Sequence, residues 1–529
     1  MSPSPEPTQA ISPSLTRHYN AAQDLLGRHA QRLNKPAYID GLTSQCLSFG
    51  QLQTQSHQFA HALRQAGFGP ESRILLCMHD SLEWPVVFLG CILAGVIPIA
   101  SNTLLNAKDF DYMLRDSRAQ GLIVSETLWP TFEPLVSQLP LLRSVFLAGT
   151  PQDSTPMNVA TMIGAQTGSA LAPQVAETCG DDICFWLYSS GSTGVPKGTV
   201  HLHSHLIQTA QLYGTAILGL REDDVVFSAA KLFFAYGLGN ALTFPLAVGA
   251  TTVLLSSRPS PDLIFSILKK FQASIFYGVP TLFAALLAHE TRPARSELHL
   301  RLCTSAGEAL PAEIGRKWSA EFACDLLDGI GSTEMLHIFL SNRPGQVRYG
   351  STGQAVPGYQ LRIVGDDGQL CGDGEIGELQ VNGPSAALMY WNNRAQTKAT
   401  FTGEWTRSGD KYTRDGDGFY TYCGCTDDML KVGGIYVSPF EVEASLMTHP
   451  AVLEAAVIGA PDKDDLIKPK AFVVLKPGQV ALQEELKNHV KQQLAAYKYP
   501  RWIEFVSDLP KTTTGKIQRF RLRERQLKS

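Results

Sequence analysis

The amino-acid sequence predicts an α/β fold in two parts: a large N-terminal domain of several layers with buried sheets, and a small α+β domain at the C-terminus. Three observations lead there. At 529 residues the chain exceeds one ordinary compact domain. From about residue 35 to residue 420, short apolar runs alternate with segments of helical periodicity, as sheets covered by helices require. After Cys425 the pattern shifts to helix, strand, strand, helix, strand within about 100 residues, the size of a compact unit. The boundary is set at Asp427, giving domains 14–426 and 427–529.

Met1 to Pro13 is rich in Ser and Pro, and reads as a disordered tail rather than a secretory signal. Ser72 to Met78, Gly121 to Val124 and Thr251 to Leu255 read as buried strands. Trp84 to Ala100 is apolar, but Pro85, Gly90, Gly95 and Pro98 interrupt it. It also falls short of the roughly 20 residues of a membrane span, so a buried helix followed by a strand is expected. Pro261 to Phe271 has Ile264, Ile267 and Leu268 on one side, the mark of an amphipathic helix. Asp427-Asp428 and Lys431-Val432-Gly433-Gly434 read as a flexible joint. Ser438-Pro439-Phe440-Glu441 reads as a capping box with proline at the first helical position. Its helix should end near His449-Pro450, followed by strands at 455–459 and 471–475, a helix at 482–495 and a strand at 502–506.

Composition excludes several classes. A formal charge of −4 argues against a general nucleic-acid binder. The ten cysteines are scattered, with no Cys-x-x-Cys pair at zinc spacing. Reduced thiols and a cytoplasmic location are the expectation. His201, His203 and His205 alternate, so on a strand they would share one face, and they read as structural or polar-face residues.

The run Tyr188-Ser189-Ser190-Gly191-Ser192-Thr193-Gly194-Val195-Pro196-Lys197-Gly198 carries the most chemistry. It follows the apolar run Ile183 to Leu187. Glycines let the backbone approach a ligand, and free N–H groups, hydroxyls and one ammonium suit a polyphosphate. A Walker-type loop needs Gly-Lys followed by Ser or Thr; here Pro196 precedes and Gly198 follows Lys197, so that fit fails. Three weaker segments accompany it: Asp328-Gly329-Ile330-Gly331-Ser332-Thr333-Glu334, Trp405-Thr406-Arg407-Ser408-Gly409-Asp410, and Leu509-Pro510-Lys511-Thr512-Thr513-Thr514-Gly515-Lys516.

In this order the motifs resemble the adenylate-forming superfamily of acyl- and aryl-CoA ligases, firefly-type luciferases and peptide-synthetase adenylation domains. The resemblance covers nearly the whole chain. Its wording at Ala230 to Asn240, Thr304 to Leu310 and Gly331 to Phe339 is most similar to the benzoate-CoA ligases. The resemblance implies ATP, Mg²⁺ and coenzyme A as reactants and cofactor, with an aryl carboxylate as substrate. A carboxylate is a poor electrophile, and converting it to an acyl-adenylate supplies AMP as a leaving group.

The resemblance also assigns residues. Lys516 would bridge the carboxylate and the α-phosphate, whose repulsion at about 4 Å is roughly 4 kcal/mol at an effective dielectric near 20. Glu334 would hold Mg²⁺. Ser189, Ser190, Gly191, Ser192, Thr193, Gly194 and Lys197 would contact the ATP phosphates, and Thr333 belongs with them. Gly307, Glu308, Asp328, Gly329 and Ile330 would flank adenine, and Asp410 would accept the ribose hydroxyls. Phe234, Ala235, Tyr236 and Gly237, with Gly331, His337 and Ile338 opposite, would form a flat slot for a planar acid; Phe233 reads as core. Asp427 would be the hinge of a mobile C-terminal domain, and Gly434 would line the coenzyme A tunnel. For each residue a plainer role stands alongside. Glu334 could cap a helix after Ser332 and Thr333, Asp410 could be a turn aspartate, Gly434 a turn glycine and Lys516 a surface lysine in a basic tail.

One departure stands out. The family usually places Gly-Arg before the hinge, whereas this chain has Gly424-Cys425. Loss of a charged hydrogen bond of roughly 1.5–3 kcal/mol would weaken ATP binding. The alternatives are a ligase for a hydroxy- or aminobenzoate or another small acid, an adenylation enzyme that loads a carrier protein, a luciferase-like oxygenase sharing the first step, and a non-catalytic nucleotide sensor. No nucleic-acid or membrane partner is expected, and the assembly is expected to be a monomer or homodimer.

Overall fold

The computed structural model describes residues 18–149, 157–166, 174–189, 196–425, 428, 430–432, 435–462, 467–494, 498–511 and 517–528. The tail read as disordered lies outside them.

Two large sheets dominate the first 400 residues, one of nine strands and one of eight. Alternation within their strands shows how they pack. Ile74 and Leu76 point into the same apolar cluster as Val226, Leu254, Tyr277 and Leu327, which come from the other sheet. That shared core also takes the helices Phe49–Gln65 and Glu83–Ala94. The opposite faces have cores of their own. Leu75, Cys77, Leu122 and Val124 pack on Phe110, Met113 and Phe132, while Phe227, Val253, Phe276 and Leu326 pack on Ile264, Phe283 and Trp318. The result is a five-layer stack of helix, sheet, helix, sheet, helix, because a strand buried on both faces needs a helical cover on each.

The apolar stretch from Trp84 forms the buried helix Glu83–Ala94, closed by Gly95 at φ +77°, and then the strand Ile97–Ala100. Among the described residues no helix is long and apolar enough to cross a membrane.

Beyond residue 430, a three-stranded sheet of Val452–Pro461, Ile467–Leu475 and Trp502–Phe505 has separate clusters on its two faces. One face packs on the helices Pro439–Met447 and Gln483–Gln493, the other on Leu522 of the helix Arg519–Lys528.

Three local expectations are corrected. Leu430–Val432 and Ile435–Val437 pair as a short antiparallel ribbon, so Lys431 and Val432, read as part of a flexible joint, are strand residues, while Asp427, Gly433 and Gly434 lie outside the described residues. Only half of the capping box forms: Ser438 Oγ accepts from Glu441 N at 3.2 Å, while the Glu441 carboxylate accepts from Lys498 Nζ at 2.7 Å. The three alternating histidines do not share a strand face, because the strand ends at Leu202 and His203 starts the helix His203–Thr209.

Candidate active site

Four neighbouring parallel strands of the nine-stranded sheet, Val225–Ser228, Ile275–Gly278, Leu302–Ser305 and Asp325–Gly331, end on the same side. The candidate slot and adenine segments lie at or just beyond three of these ends, the usual place for ligands on such sheets. Ser305 and Asp328 are register partners, so the loop carrying Gly307 and Glu308 starts beside the Asp328 to Ile330 segment. Gly307 has φ +90°, which favours glycine there. Asp328 is buried, and its carboxylate accepts from Leu310 N at 3.3 Å. Burial pushes the Asp328 carboxyl up to about 8. Its side chain therefore holds the 307–310 loop.

The slot segment packs on His337. His337 Nε2 donates toward the Tyr236 carbonyl at 3.3 Å and Asn240 Oδ1 at 3.2 Å, and the His337 and Tyr236 ring centroids lie 5.6 Å apart. Burial pushes the imidazole down to about 3, so it is neutral. Tyr236 OH shares a 2.6 Å hydrogen bond with Thr304 Oγ1. Phe234, Ala235 and Tyr236 are half-buried, whereas Ile338 and Phe233 are core residues. Gly237 and Gly331 are glycines for backbone reasons. A Cβ at Gly237 would sit 2.0 Å from the Lys231 carbonyl oxygen, and one at Gly331 2.5 Å from that of His337. Sequence reasoning missed Asn240 and Gly239, the latter making room for His337: a Cβ there would lie 2.3 Å from its ring.

The phosphate-loop run opens as the strand Ile183–Ser189 and returns antiparallel as Lys197–Leu202, with Ser189 opposite Lys197. A strand follows the loop, not a helix, which agrees with the failed Walker fit. Ser190, Gly191, Ser192, Thr193 and Gly194 lie outside the described residues, as do Asp427, Gly434 and Lys516. The neck of the Lys516 loop is described, and Lys511 and Ile517 pair across it in an antiparallel bridge.

Glu334 follows the strand Asp325–Gly331 in a turn, not at a helix start, so the helix-capping alternative falls. Three bonds fix this turn. His201 Nε2 donates to the Thr333 carbonyl at 2.8 Å, Ala387 N to the Glu334 carbonyl at 2.7 Å, and Ser385 Oγ to the Met335 carbonyl at 2.7 Å. Burial pushes His201 down to about 4, which keeps it neutral for this task. Tyr390 OH donates to Glu334 Oε1 at 2.6 Å, and Lys197 Nζ lies 4.9 Å from the centroid of the same Tyr390 ring. His201 and Tyr390 were missed as site residues. The available signals were the period of two that puts Lys197, Thr199 and His201 on one strand face, and the aromatic pair Tyr390-Trp391.

Asp410 sits within the strand Trp405–Arg414, opposite Cys425 in the ladder, so it is not a turn residue. Burial first, then the Asp410 and Asp328 carboxylates, push the Tyr412 phenol well up, which ties the ribose and adenine candidates to one neighbourhood.

Glu334 is half-buried and forms no ion pair among the described residues. A carboxylate whose hydrogen-bond partner is a neutral phenol suits Mg²⁺, which takes one or two carboxylates along with phosphate oxygens. Among the described residues no group of three or more His, Cys, Asp or Glu could hold a metal. Phosphate would have to complete such a site.

Comparison with known proteins identifies the family and the fold. The family profile described as AMP-binding enzyme matches residues 27–391, and the one described as AMP-binding enzyme C-terminal domain matches 441–516. A benzoate–CoA ligase of Thauera aromatica is 57% identical over 517 residues, covering 96% of each chain. Among solved structures, a benzoate CoA ligase from Burkholderia xenovorans LB400 superposes with a TM-score of 0.88 at 51% identity, over 96% of this chain and 100% of that one. An anthranilate CoA ligase in complex with anthranoyl-AMP gives a TM-score of 0.91 at 43% identity, over 96% and 98%. The chain belongs to the AMP-binding enzyme family and has the fold of its adenylate-forming ligases.

Proposed function

We propose that this protein is an AMP-forming ligase that converts benzoate to benzoyl-CoA through benzoyl-adenylate. The end-to-end match to the Thauera aromatica ligase carries the reading, and the half-buried aromatic segment beside a neutral histidine supports an apolar, planar acid. In the first step a benzoate oxygen attacks the α-phosphorus of ATP and pyrophosphate leaves. In the second the coenzyme A thiol, losing its proton, attacks the acyl carbon and AMP leaves.

Each of the chain's groups has a task in this scheme. The glycine-rich loop and Lys197 bind the polyphosphate, and Asp410 accepts the ribose hydroxyls. Phe234, Ala235, Tyr236 and His337 orient the ring and keep water from the acyl carbon. Glu334 would hold Mg²⁺, which supplies charge neutralisation on the phosphates when bound. Lys516 brings positive charge to the point where two anions meet. The C-terminal domain, 427–529, then turns about Asp427, withdraws Lys516 and admits the thiol past Gly434.

A second reading, a ligase for aminobenzoate, has the anthranilate ligase similarity in its favour. A panel of acids with ATP, Mg²⁺ and coenzyme A, scored by AMP release, separates the two. Benzoate should exceed acetate by about a hundredfold in kcat/KM, since losing the ring forfeits most of the buried apolar area, and should exceed long-chain fatty acids by a similar factor, since a long flexible chain does not fit a flat slot. A preference for anthranilate over benzoate would favour the second reading, and a preference for an aliphatic acid would reject both.

A further inference from the structure

Tyr390 lies between the two charged groups assigned to the polyphosphate, and neither the motifs nor the scheme above gives it a task. Its hydroxyl donates to Glu334 Oε1 at 2.6 Å, and its ring faces the Lys197 ammonium at 4.9 Å. Lys197 and Glu334 carry opposite charge beside one ring, yet they form no ion pair with each other. Direct pairing would neutralise both before a nucleotide arrived. The phenol avoids this by satisfying one carboxylate oxygen with a neutral donor, while the negative face of the ring attracts the ammonium.

The chain that carries this side chain is firmly anchored. Tyr390 pairs with Thr199 in the ladder between Met389–Tyr390 and Lys197–Leu202, and its N–H donates to Thr397 Oγ1 at 3.1 Å. Next to it, Trp391 N donates to the Gly198 carbonyl at 2.7 Å and the indole Nε1 to the Asp116 carbonyl at 2.8 Å. The Trp391 ring packs on Trp186 at 4.6 Å and under the Arg73 guanidinium at 5.2 Å. The same stretch of chain holds the Glu334 backbone through Ala387 N. A tyrosine hydroxyl ordinarily keeps its proton up to about pH 10, so it is a donor across neutral pH. A group this tightly supported meets the geometric demand on a residue that orients a metal-binding carboxylate.

We propose that Tyr390 is a positioning residue for adenylate formation: its hydroxyl aims Glu334 at the magnesium–ATP complex while its ring keeps Lys197 apart from Glu334 and directed to the phosphates. The proposal rests on the assignment of Glu334 and Lys197 to the polyphosphate.

The test uses the full-length enzyme with Tyr390→Phe, which keeps the ring and loses the hydroxyl, Tyr390→Leu, which loses both, Glu334→Gln, and the double variant Tyr390→Phe/Glu334→Gln. Binding of ATP with and without Mg²⁺ is measured by calorimetry in the absence of acid and coenzyme A. The two half-reactions are then measured separately, with melting temperatures as the check on folding. Tyr390→Phe should weaken binding of ATP in the presence of Mg²⁺, and slow adenylation, by about ten- to a hundredfold, the worth of one hydrogen bond to a charged group. It should leave thioester formation from supplied benzoyl-adenylate unchanged. Tyr390→Leu should lose several-fold more. In the Glu334→Gln background the Tyr390→Phe effect should nearly vanish. Tyr390→Phe behaving as wild type while Glu334→Gln is crippled would overturn the proposal, and so would an equal loss in both backgrounds. If Glu334→Gln itself bound ATP and Mg²⁺ normally, the assignment of Glu334 would fall and this proposal with it, a result distinct from the other two. Should Tyr390→Leu fail to fold, the isosteric Tyr390→Phe still decides.

Discussion

At the scale of single residues, burial determines what the site's ionisable groups can do. Asp328 shows this most clearly. Its folded carboxyl titrates at about 8, against about 3.9 in an unfolded chain, because it is buried. Between those values the folded state holds a proton that the unfolded state has released, so Asp328 lowers stability as pH rises from about 4 to about 8. Asp328→Asn keeps an acceptor for Leu310 N and removes the titration. Its melting temperature relative to wild type should rise with pH, by at least about 2 °C between pH 5 and pH 8, and a difference that stays flat with pH would contradict this. Cys425 concerns the other end of the nucleotide. The register places it opposite Asp410, so an arginine there would start beside the ribose candidate. Cys425→Arg should lower the KM for ATP by about tenfold, and an unchanged KM in steady-state assays would count against that role. Glu334, Asp410 and His337 could be named as candidates from the sequence because each stands in a distinctive run. It did not reveal Tyr390 or His201, whose importance comes from partners 56 and 132 positions away.

At the scale of elements, the strands and helices with clean periodicity were legible. The expected Pro261 to Phe271 helix is Pro261–Lys270, and the strand at Gly121 runs to Ser125. The stretch after Lys516 was not. It reads as a basic tail because arginines crowd it, yet Arg519–Lys528 is a helix. Leu522 anchors it in the core, and ion pairs made by Arg519, Arg523 and Arg525 add to that hold. Arg519 pairs with buried Glu443 at 2.7 Å and, with Arg523, reaches Asp428 beside the proposed hinge. Glu443 also accepts from Val457 N at 2.7 Å, so the final helix, the strand Val452–Pro461 and the helix Pro439–Met447 meet at one carboxylate. Arg519→Met leaves Glu443 buried without its cation and should cost about 3–5 kcal/mol. Hydrogen exchange at Val452–Pro461 should quicken accordingly in the full chain, while the strand Arg73–Cys77 keeps its protection. Equal loosening of both would contradict a local effect.

At the scale of the whole molecule, the sequence shows that sheets are buried but not that two of them share a core. That sharing depends on which face of Arg73–Cys77 meets which face of Val225–Ser228, a relation between segments about 150 residues apart. The outcome is a rigid stack that carries the slot, the adenine segments and Glu334, with separate apolar clusters beyond residue 430 for the part that carries the Lys516 loop. Rigidity on one side and a separately cored unit on the other are what a two-step reaction needs if one ammonium must be present for adenylation and absent for thioester formation. The most direct measurement takes Lys516→Ala through the two half-reactions apart: benzoate-dependent ATP–pyrophosphate exchange, and benzoyl-CoA formation from supplied benzoyl-adenylate. Exchange should fall by at least about a thousandfold, close to the roughly 4 kcal/mol of anion repulsion left uncompensated, while thioester formation stays within a few-fold of wild type. Retention of exchange, or equal loss in both half-reactions, would contradict the proposal that Lys516 acts in the first step alone.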